Sequence, residues 1–385
     1  MKHPGLITTQ NQLHDLCHTL AGAARIALDT EFIREKTYYP RLCLIQVATP
    51  EVVACIDPLA IDDLSPLLDR LYDPASLKLF HAGRQDLEIL YRLRGMLPTP
   101  LFDTQLAAAL LGHGDQVGYG PLVEQVLGIV LEKGHSRTDW SQRPLSAEQL
   151  AYAADDVRYL LPLHEALQQR LQTLGRASWL DEDFAALAAP ESYQSDPAQQ
   201  WQRLSGVNRL KEGRQRAIAR ALAEWREETA QQLDRPRKWV LSDEPLLDIA
   251  RRPPRNRAAL AAIRGIEARF VERHGEALLQ VVESACQLPA SAWPAAEERL
   301  RLTTEQEALS DALMATLRLC AHEAEVAPTT LASRRDLERI AAGERDLPLL
   351  HGWRAHLAGE RLLALVEGRL SLRVDGSGSL GLHPT

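Results

Sequence analysis

Over the first 190 residues, short apolar runs alternate with segments in which apolar residues recur at helical spacing. Runs rich in β-branched and aliphatic residues predict strands over 25–33, 42–49, 51–58, 76–83 and 101–104. Apolar positions three and four residues apart predict helices over 84–95, 105–112 and about 146–174. Strands in antiparallel order followed by β–α units indicate an α/β domain with a mixed sheet and flanking helices.

The second half of the chain has a different pattern. Residues 190–198, "PESYQSDPA", contain two prolines and two serines, which predicts a linker. Everything after this linker is helical in pattern, and we predict no strand there. The segment "GEALLQVVE" (275–283) matches "GERLLALVE" (359–367) at six of nine positions. This repeat predicts two related helical modules near 199–284 and 302–369. Chance similarity between amphipathic helices is the alternative.

Length and composition are those of a multidomain globular protein. A chain of 385 residues, 45% hydrophobic and 25% charged, predicts two or three domains. No apolar run reaches the roughly 18 residues needed to span a bilayer, and the start lacks the apolar core of a signal peptide. The five cysteines are scattered and never spaced CxxC, which argues against disulfides and zinc. We therefore expect a cytoplasmic protein with no membrane partner.

Charge is unevenly distributed along the chain. Residues 1–198 carry 16 Lys/Arg and 26 Asp/Glu, a net charge of −10. Residues 199–280 carry 17 basic and 11 acidic residues, a net charge of +6, and residues 281–385 have a net charge of −4. An acidic block followed by a basic block suggests metal ligands in the first and phosphate contacts in the second. On the charges alone, a random surface fluctuation is the better explanation.

The first predicted strand contains two carboxylates in the segment "ALDTEFI" (27–33). Side chains at i and i+2 of a strand lie on the same face, so Asp29 and Glu31 point the same way. Two like charges in a partly buried place are costly unless a cation neutralises them. The pattern predicts either a basic side chain or a metal ion beside this pair.

Two further acidic positions are candidates for the same site. Asp86 falls in the first turn of a predicted helix, where the helix dipole favours an acid without any ligand. One helical stripe of the segment after 146 comprises Tyr152, Asp156, Leu160, Leu163 and Leu167. Asp156 thus lies on the apolar face, whereas its neighbour Asp155 lines up with Arg158 on another face. Another carboxylate, Asp103, more simply caps the helix that follows it.

Four acids in largely apolar surroundings suit hard cations that prefer oxygen ligands. Magnesium and manganese are such ions, and no cluster of His and Cys favours zinc. Two ions about 4 Å apart can stabilise both the attacking and the leaving oxygen of a phosphodiester displacement. The sequence therefore predicts a site for two divalent ions, Mg²⁺ or Mn²⁺.

Five segments, in this order and spacing, resemble the bacterial ribonuclease D family: "LDTEF", "HAGRQDLEIL", "FDTQ", "SRTDWSQRPL" and "YAADDVRYLLPL". This family belongs to the DEDD 3′→5′ exonucleases, which have an RNase H-like α/β fold. The segment that begins "RLKEGRQRAIARALAEW" resembles an HRDC domain, and the second helical module resembles the divergent HRDC-like repeat of the same family. The resemblance implies an exonuclease domain at 1–195, all-α HRDC-like domains at 199–284 and 302–369, and a C-terminal tail at 370–385.

The resemblance also assigns roles to the acidic residues. Asp29 and Glu31 match the first exonuclease motif, Asp86 the second and Asp156 the third. Tyr152 fits the Y-x3-D form of the third motif, and alanine at position 151 excludes the H-x4-D form. These five positions are the expected catalytic residues, and the four carboxylates are the expected metal ligands.

The function implied is that of a metal-dependent exoribonuclease that releases nucleoside 5′-monophosphates. Its expected partner is RNA with a free 3′ end, such as tRNA precursors and other small structured RNAs, with no obligate protein partner. Two alternatives remain open. One is a DNA-directed 3′→5′ exonuclease, because the same catalytic fold acts in proofreading. The other is a non-catalytic HRDC adaptor, against which the presence of all four carboxylates argues.

Several residues are candidates for contact with the substrate, each with a structural alternative. His81 and Arg84 either touch RNA or hold the local fold. Residues in the segment "EKGHSRTDW" either form an edge of the cleft or belong to an ordinary loop: Lys133, Arg137 and Trp140. Arg237 and Lys238 lie in a basic stretch that suits phosphate contacts or ion pairs with neighbouring acids. For Trp239 beside them, we expect a place in the helical core rather than stacking on a base.

Overall fold

A computed structural model describes residues 5–132, 134, 138–295 and 300–385. Lys133 and Arg137 lie outside these residues. None of the described helices combines the length and apolar character that crossing a bilayer requires. Contacts between Cα atoms divide the chain into two compact units. The first contains the described residues of 1–31, 42–192 and 300–385, and the second those of 32–41 and 193–299.

A six-stranded sheet forms the centre of the N-terminal region. Its strands are β1 (Leu6–Ile7), β2 (Arg25–Ile33), β3 (Arg41–Ala48), β4 (Val53–Ile56), β5 (Leu77–Phe80) and β6 (Leu101–Asp103). They lie in the order β1-β4-β3-β2-β5-β6. β1 pairs with β4, β2 with β5 and β5 with β6 in parallel, whereas β3 and β4 are antiparallel. The mixed sheet predicted from the sequence is confirmed.

Helices flank this sheet. They are α1 (Gln10–Leu20), α2 (Ser65–Leu71), α3 (Arg84–Arg94), α4 (Thr104–Ala109), α5 (Tyr119–Leu127), α6 (Ala147–Arg158), α7 (Leu160–Thr173) and α8 (Asp181–Leu187). One core cluster joins Ala27 and Leu79 of the sheet to Val157 and Leu163 of the helices. The single long helix predicted over about 146–174 is wrong: it is two helices that meet at Tyr159. A capping box at Ser146 begins the first of them.

Among the described residues of the second unit, 193–295 contain helices and turns, whereas 32–41 include the end of β2 and the start of β3. Its helices are α9 (Gly213–Gln232), α10 (Arg237–Val240), α11 (Asp243–Arg251), α12 (Arg257–Ala261) and α13 (Ala268–Gln287). Short 3-10 turns at Pro197–Arg203 and Val207–Arg209 precede them. Ile218 and Leu222 of α9 pack with Leu246 of α11 and Leu278 of α13 in one buried core. The apolar stripes of these amphipathic helices thus meet inside the unit.

Residues 300–385 contain a further set of helices: α14 (Thr304–Glu323), α15 (Pro328–Leu331), α16 (Arg334–Ala341), α17 (Gly352–Arg354) and α18 (Glu360–Val366). They pack against the rest of the first unit, where the rings of Trp353 and Trp179 stack with centroids 4.7 Å apart. The expectation of no strand after the linker is wrong. β7 (Leu370–Val374) and β8 (Leu380–Pro384) form an antiparallel hairpin. Its turn is fixed by Asp375, whose carboxylate accepts from the backbone of Ser377 and Ser379.

Candidate active site

Three carboxylates converge on one face of the sheet. β2 carries Asp29 and Glu31 on the same face, as its alternating side chains require. α6 brings Asp156 to them. One carboxylate oxygen of each of these three residues lies within 4.8 Å of the other two. Residues separated by more than 120 positions in sequence therefore form one acidic cluster.

Asp86 lies beside this cluster, in the first turn of α3. It is buried, and its carboxylate accepts hydrogen bonds from the hydroxyl and the backbone N–H of Thr30, between the two acids of β2. α3 follows β5 after a tight turn that ends at Gly83. A Cβ at Gly83 would lie 2.5 Å from Cβ of Phe80, so only glycine fits this close approach.

A second carboxylate holds the turn that delivers Asp86. Asp103 accepts from the backbone N–H groups of Ala82 at 3.1 Å and Gly83 at 2.8 Å. It also caps α4 by accepting from the N–H of Gln105 at 2.8 Å, as predicted. No local pattern indicates the bonds to Ala82 and Gly83, because the two segments are about twenty residues apart and meet only in the sheet.

The electrostatics of the four acids favour a bound cation. Burial, and then the charges of the neighbouring carboxylates, raise the pKa of Asp29 well above its usual value and that of Glu31 to about 8. Burial and the charge of Asp155 raise the pKa of Asp156 to about 7. Burial also raises the pKa of Asp86 to about 6. Such crowding of like charges is relieved by a divalent ion, and four hard oxygen donors match Mg²⁺ or Mn²⁺.

Tyr152 lies one helical turn before Asp156 on α6, and its hydroxyl hydrogen-bonds the Asp156 carboxylate. Burial and the nearby negative charges raise the pKa of Tyr152 above its ordinary value, so the phenol stays protonated at neutral pH. The neighbouring Asp155 instead pairs with Arg158 at 2.9 Å. The structure therefore brings Asp156 and not Asp155 into the cluster, as the helical stripe predicted.

Of the candidate substrate contacts near the cluster, two have structural roles. His81 is held through both ring nitrogens, with Nδ1 3.0 Å from the Thr104 hydroxyl and Nε2 3.0 Å from the Val117 carbonyl oxygen. These bonds favour the structural alternative for His81. Trp140 is 2% exposed, which favours packing in the core over contact with RNA. Arg84 is exposed and donates to the carbonyl of Ser192 at 3.3 Å.

The basic stretch of the second unit contains one arginine held by a buried acid and two exposed residues. Arg237 donates to the fully buried carboxylate of Glu227 and to the Tyr38 hydroxyl, and its guanidinium lies 4.9 Å from the centre of the Tyr38 ring. Of the two alternatives for Arg237, these partners favour the ion pair with a neighbouring acid over a phosphate contact. Lys238 is exposed. Trp239 is 61% exposed, so the expectation of a core position is also wrong.

Comparison with known proteins places the two regions in established families. A family model described as 3′-5′ exonuclease matches residues 4–172, and a model of the HRDC domain matches residues 215–282. The first match contains all four carboxylates and Tyr152. The second contains α10, α11 and α12, with Lys238 and Trp239.

Relatives and solved structures match almost the whole chain. Ribonuclease D of Gluconacetobacter diazotrophicus is 43% identical over 377 residues, which is 97% of this chain and 95% of that protein. Ribonuclease D of Zymomonas mobilis is 43% identical over 380 residues, 97% of this chain and 96% of that protein. The crystal structure of RNase D from Escherichia coli, described as an exoribonuclease involved in structured RNA processing, has a TM-score of 0.82 at 34% identity and covers 94% of this chain and 98% of that one.

Proposed function

Because this chain belongs to the ribonuclease D family of 3′→5′ exoribonucleases, we propose that its acidic cluster is the catalytic centre for hydrolysis of the terminal phosphodiester of RNA. The observation that carries this proposal is the convergence of carboxylate oxygens from Asp29, Glu31 and Asp156 within 4.8 Å. Hydrolysis that leaves the phosphate on the departing nucleotide releases nucleoside 5′-monophosphates and shortens the RNA from its 3′ end.

The four carboxylates would hold two divalent ions, Mg²⁺ or Mn²⁺. When bound, such ions neutralise charge at the phosphate and make a water molecule a good nucleophile at neutral pH. Asp29, Glu31 and Asp156 suit one ion together, because their oxygens already lie close to one another. Asp86 is fixed by Thr30 at the side of this group and would help to hold the second ion.

Tyr152 orients the attacking water. Its raised pKa leaves the hydroxyl protonated, so it is a hydrogen-bond donor and not a base. The bond to Asp156 fixes the hydroxyl at the edge of the carboxylate cluster. A hydroxyl in this position accelerates the reaction by placing the nucleophile, and the acceleration is largest when the hydroxyl is held rigidly.

We further propose that the HRDC domain holds the body of the RNA while its 3′ end is cut. Arg235, Lys238, Arg252 and Arg255 are among the exposed basic residues of this unit that make no ion pair with another described residue. Trp239 offers an exposed ring beside Lys238, and unpaired bases stack on such rings without sequence preference. Phosphate contacts with stacking suit tRNA precursors and other small RNAs with single-stranded 3′ ends.

Residues 302–369 are proposed to be a second HRDC-like domain. Helices of 20, 4 and 8 residues (α14, α15 and α16) follow one another there, and helices of 20, 4 and 9 residues (α9, α10 and α11) follow one another in the HRDC domain. The same order of lengths supports a duplication.

All five cysteines have free thiols, which fits the reducing cytoplasm that we propose as the compartment.

One experiment tests the proposed substrate and direction together. RNA and DNA of one sequence, labelled at either end, are incubated with the protein and Mg²⁺ or Mn²⁺, with and without a chelator. We expect 5′-labelled RNA to shorten stepwise, 3′-labelled RNA to release a labelled mononucleotide at once, and the chelator to stop both. A tRNA precursor with a 3′ extension should be trimmed. Faster shortening of DNA than RNA would favour the DNA-directed alternative, and no shortening of either would favour the adaptor.

A further inference from the structure

A second charged pair lies in the exonuclease domain, outside the acidic cluster. Arg143 binds Asp57 through two bonds, from Nε to Oδ2 at 2.6 Å and from Nη2 to Oδ1 at 2.7 Å. Asp57 is 3% exposed. Burial opposes its ionisation, but the bonds from Arg143 and from the N–H of Leu59 outweigh this, and the pKa of Asp57 lies below its usual value. A bidentate pair of this kind fixes the guanidinium in orientation as well as position.

The same guanidinium ties a loop to the sheet. Nη1 donates to the carbonyl oxygens of Trp140 and Gln142, both at 2.8 Å, and Nη2 donates to the carbonyl oxygen of Cys43 on β3 at 2.7 Å. Because the carbonyl of Trp140 is bonded to a group that Asp57 holds, the backbone of this tryptophan has a fixed place relative to the sheet.

The side chain of Trp140 links this loop to the candidate active site. Its ring is almost fully buried and stacks on the ring of Tyr152, with centroids 6.3 Å apart and planes inclined by 29°. The other end of the Tyr152 ring is its hydroxyl, which hydrogen-bonds Asp156. A shift of the indole would therefore move the phenol relative to the carboxylates.

We propose that Asp57 and Arg143 are positioning residues for Tyr152 and act through the ring of Trp140. The inference rests on the proposed function, since it assumes that the Tyr152 hydroxyl orients the nucleophile. In this proposal, neither Asp57 nor Arg143 touches the substrate or a metal ion. Displacement of a catalytic group by about 1 Å can lower a rate about 10²-fold, so loss of this support should act on kcat much more than on KM.

The test compares kcat and KM on a short 5′-labelled RNA for Arg143→Gln and Asp57→Asn, each made in the wild type and in Tyr152→Phe. In the wild type, Arg143→Gln should lower kcat by about tenfold or more, with little change in KM. In Tyr152→Phe, which retains the ring but lacks the hydroxyl, the same change should lower kcat further by less than about twofold, because the group that it positions is already gone. Trp140→Phe should retain most of kcat, whereas Trp140→Leu should behave like Arg143→Gln.

A matched control separates positioning from loss of stability. Arg176 also bridges backbone carbonyls, those of Leu110 at 2.8 Å and Ala324 at 2.6 Å, and it makes no described contact with Tyr152. Arg176→Gln should lower the thermal midpoint as Arg143→Gln does, yet leave kcat unchanged at a temperature where both are folded.

The outcomes are distinguishable. A wild-type kcat in Tyr152→Phe would overturn the role of Tyr152 and, with it, this inference. A strong defect in Tyr152→Phe with normal kcat in Arg143→Gln and Trp140→Leu would overturn the inference alone. An equal loss of kcat from Arg143→Gln in both backgrounds would assign the pair a purely structural role and also overturn it.

Discussion

The hydroxyl of Tyr152 hydrogen-bonds the carboxylate of Asp156 one turn further along α6. The pKa of the phenol is raised by burial and then by the charges of Asp156, Glu31 and Asp29, so this bond has the tyrosine as its donor. A tyrosine that remains protonated cannot take the proton from water at neutral pH. We therefore infer that it orients the nucleophile, and that divalent ions held by the carboxylates would neutralise charge at the phosphate.

Tyr152→Phe should cut the rate of RNA hydrolysis strongly while preserving affinity for Mn²⁺. The ring that packs on Trp140 is retained, and the carboxylates of the cluster are untouched. Single-turnover kinetics gives the rate, and calorimetric titration with Mn²⁺ gives the metal affinity. If metal affinity collapsed in parallel with the rate, Tyr152 would instead be a structural support for the metal ligands.

Trp239→Ala should weaken binding of single-stranded RNA. Its ring is exposed on α10, and loss of one base–aromatic stack costs about 1–3 kcal/mol, or about fivefold to 150-fold in affinity. Fluorescence anisotropy with a labelled oligonucleotide measures this, in a catalytically inactive background. Trp201→Ala is an unsuitable control because that ring packs on the core of the unit, so Leu233→Ala, another exposed apolar position, serves instead. Equal affinity of Trp239→Ala and the wild type would contradict a stacking role.

Lys238→Gln should lower the salt dependence of RNA binding by about one counterion, because each neutralised phosphate contributes about one to the slope of log K against log salt. Arg257→Gln is the matched control, since Arg257 is exposed but already pairs with Glu276 at 2.9 Å. The full-length chain is used for both. Removal of all residues after 195 would also remove Trp353, which stacks on Trp179 of the exonuclease domain. Equal slopes for the wild type and Lys238→Gln would refute the phosphate contact.

Arg237→Gln should destabilise the second unit. Glu227 is fully buried and receives hydrogen bonds from Arg237, Tyr38 and Ser195. Removing the cation leaves the fully buried Glu227 without its charged partner, but the Arg237 side chain is itself 36% exposed. The cost in the free energy of unfolding should therefore be about 2–3 kcal/mol, below that of a fully buried pair. Arg251→Gln breaks a half-exposed pair with Asp248 and should cost at most about 1 kcal/mol. Urea unfolding followed by circular dichroism compares them, and equal midpoints for the two variants would contradict the structural role of Arg237.

The protein should lose stability below neutral pH through His164. Burial, and then the charge of Arg25, lower the pKa of this imidazole in the folded state to about 4, against about 6.5 in the unfolded chain. The unfolded state therefore binds the proton first as the pH falls. The stability that neutral His164 contributes is fully present above pH 6.5 and is lost as the pH falls from there to about 4. The loss amounts to about 1–2 kcal/mol at pH 5. When the pH is lowered from 7 to 5, the free energy of unfolding should change in favour of His164→Gln relative to the wild type by about 1–2 kcal/mol, because the variant lacks this term. An equal change in the two proteins would contradict this assignment.

The pattern of the chain was sufficient to predict which carboxylates share a face of a strand or a helix. Alternation in 25–33 places Asp29 and Glu31 on one face, and a four-residue spacing places Tyr152 next to Asp156; both relations are local and follow from backbone geometry. The mixed sheet followed from the order of strands and helices in the same way.

Relations between distant segments could not be predicted. Asp57 and Arg143 are 86 positions apart, and nothing in either local pattern indicates the pair. The segment "WVL" looked like part of a core, but the one-turn helix α10 buries Val240 and leaves Trp239 outside. The sequence leaves a phosphate contact and an ion pair equally open for Arg237, because the buried Glu227 that binds it lies on another helix. Burial of a given side chain is decided by tertiary packing, which a short stretch of sequence does not contain.

The rate at which Asp29→Asn shortens 5′-labelled RNA in Mg²⁺ tests most directly whether the acidic cluster is the catalytic centre. Asparagine keeps the shape of the side chain and removes one of the three charges that converge within 4.8 Å. Asp155→Asn is the control, because Asp155 pairs with Arg158 outside the cluster. We expect Asp155→Asn to trim RNA at close to the wild-type rate and Asp29→Asn to lose the activity by several orders of magnitude while its circular dichroism spectrum stays unchanged. A near-normal rate for a folded Asp29→Asn would contradict the account.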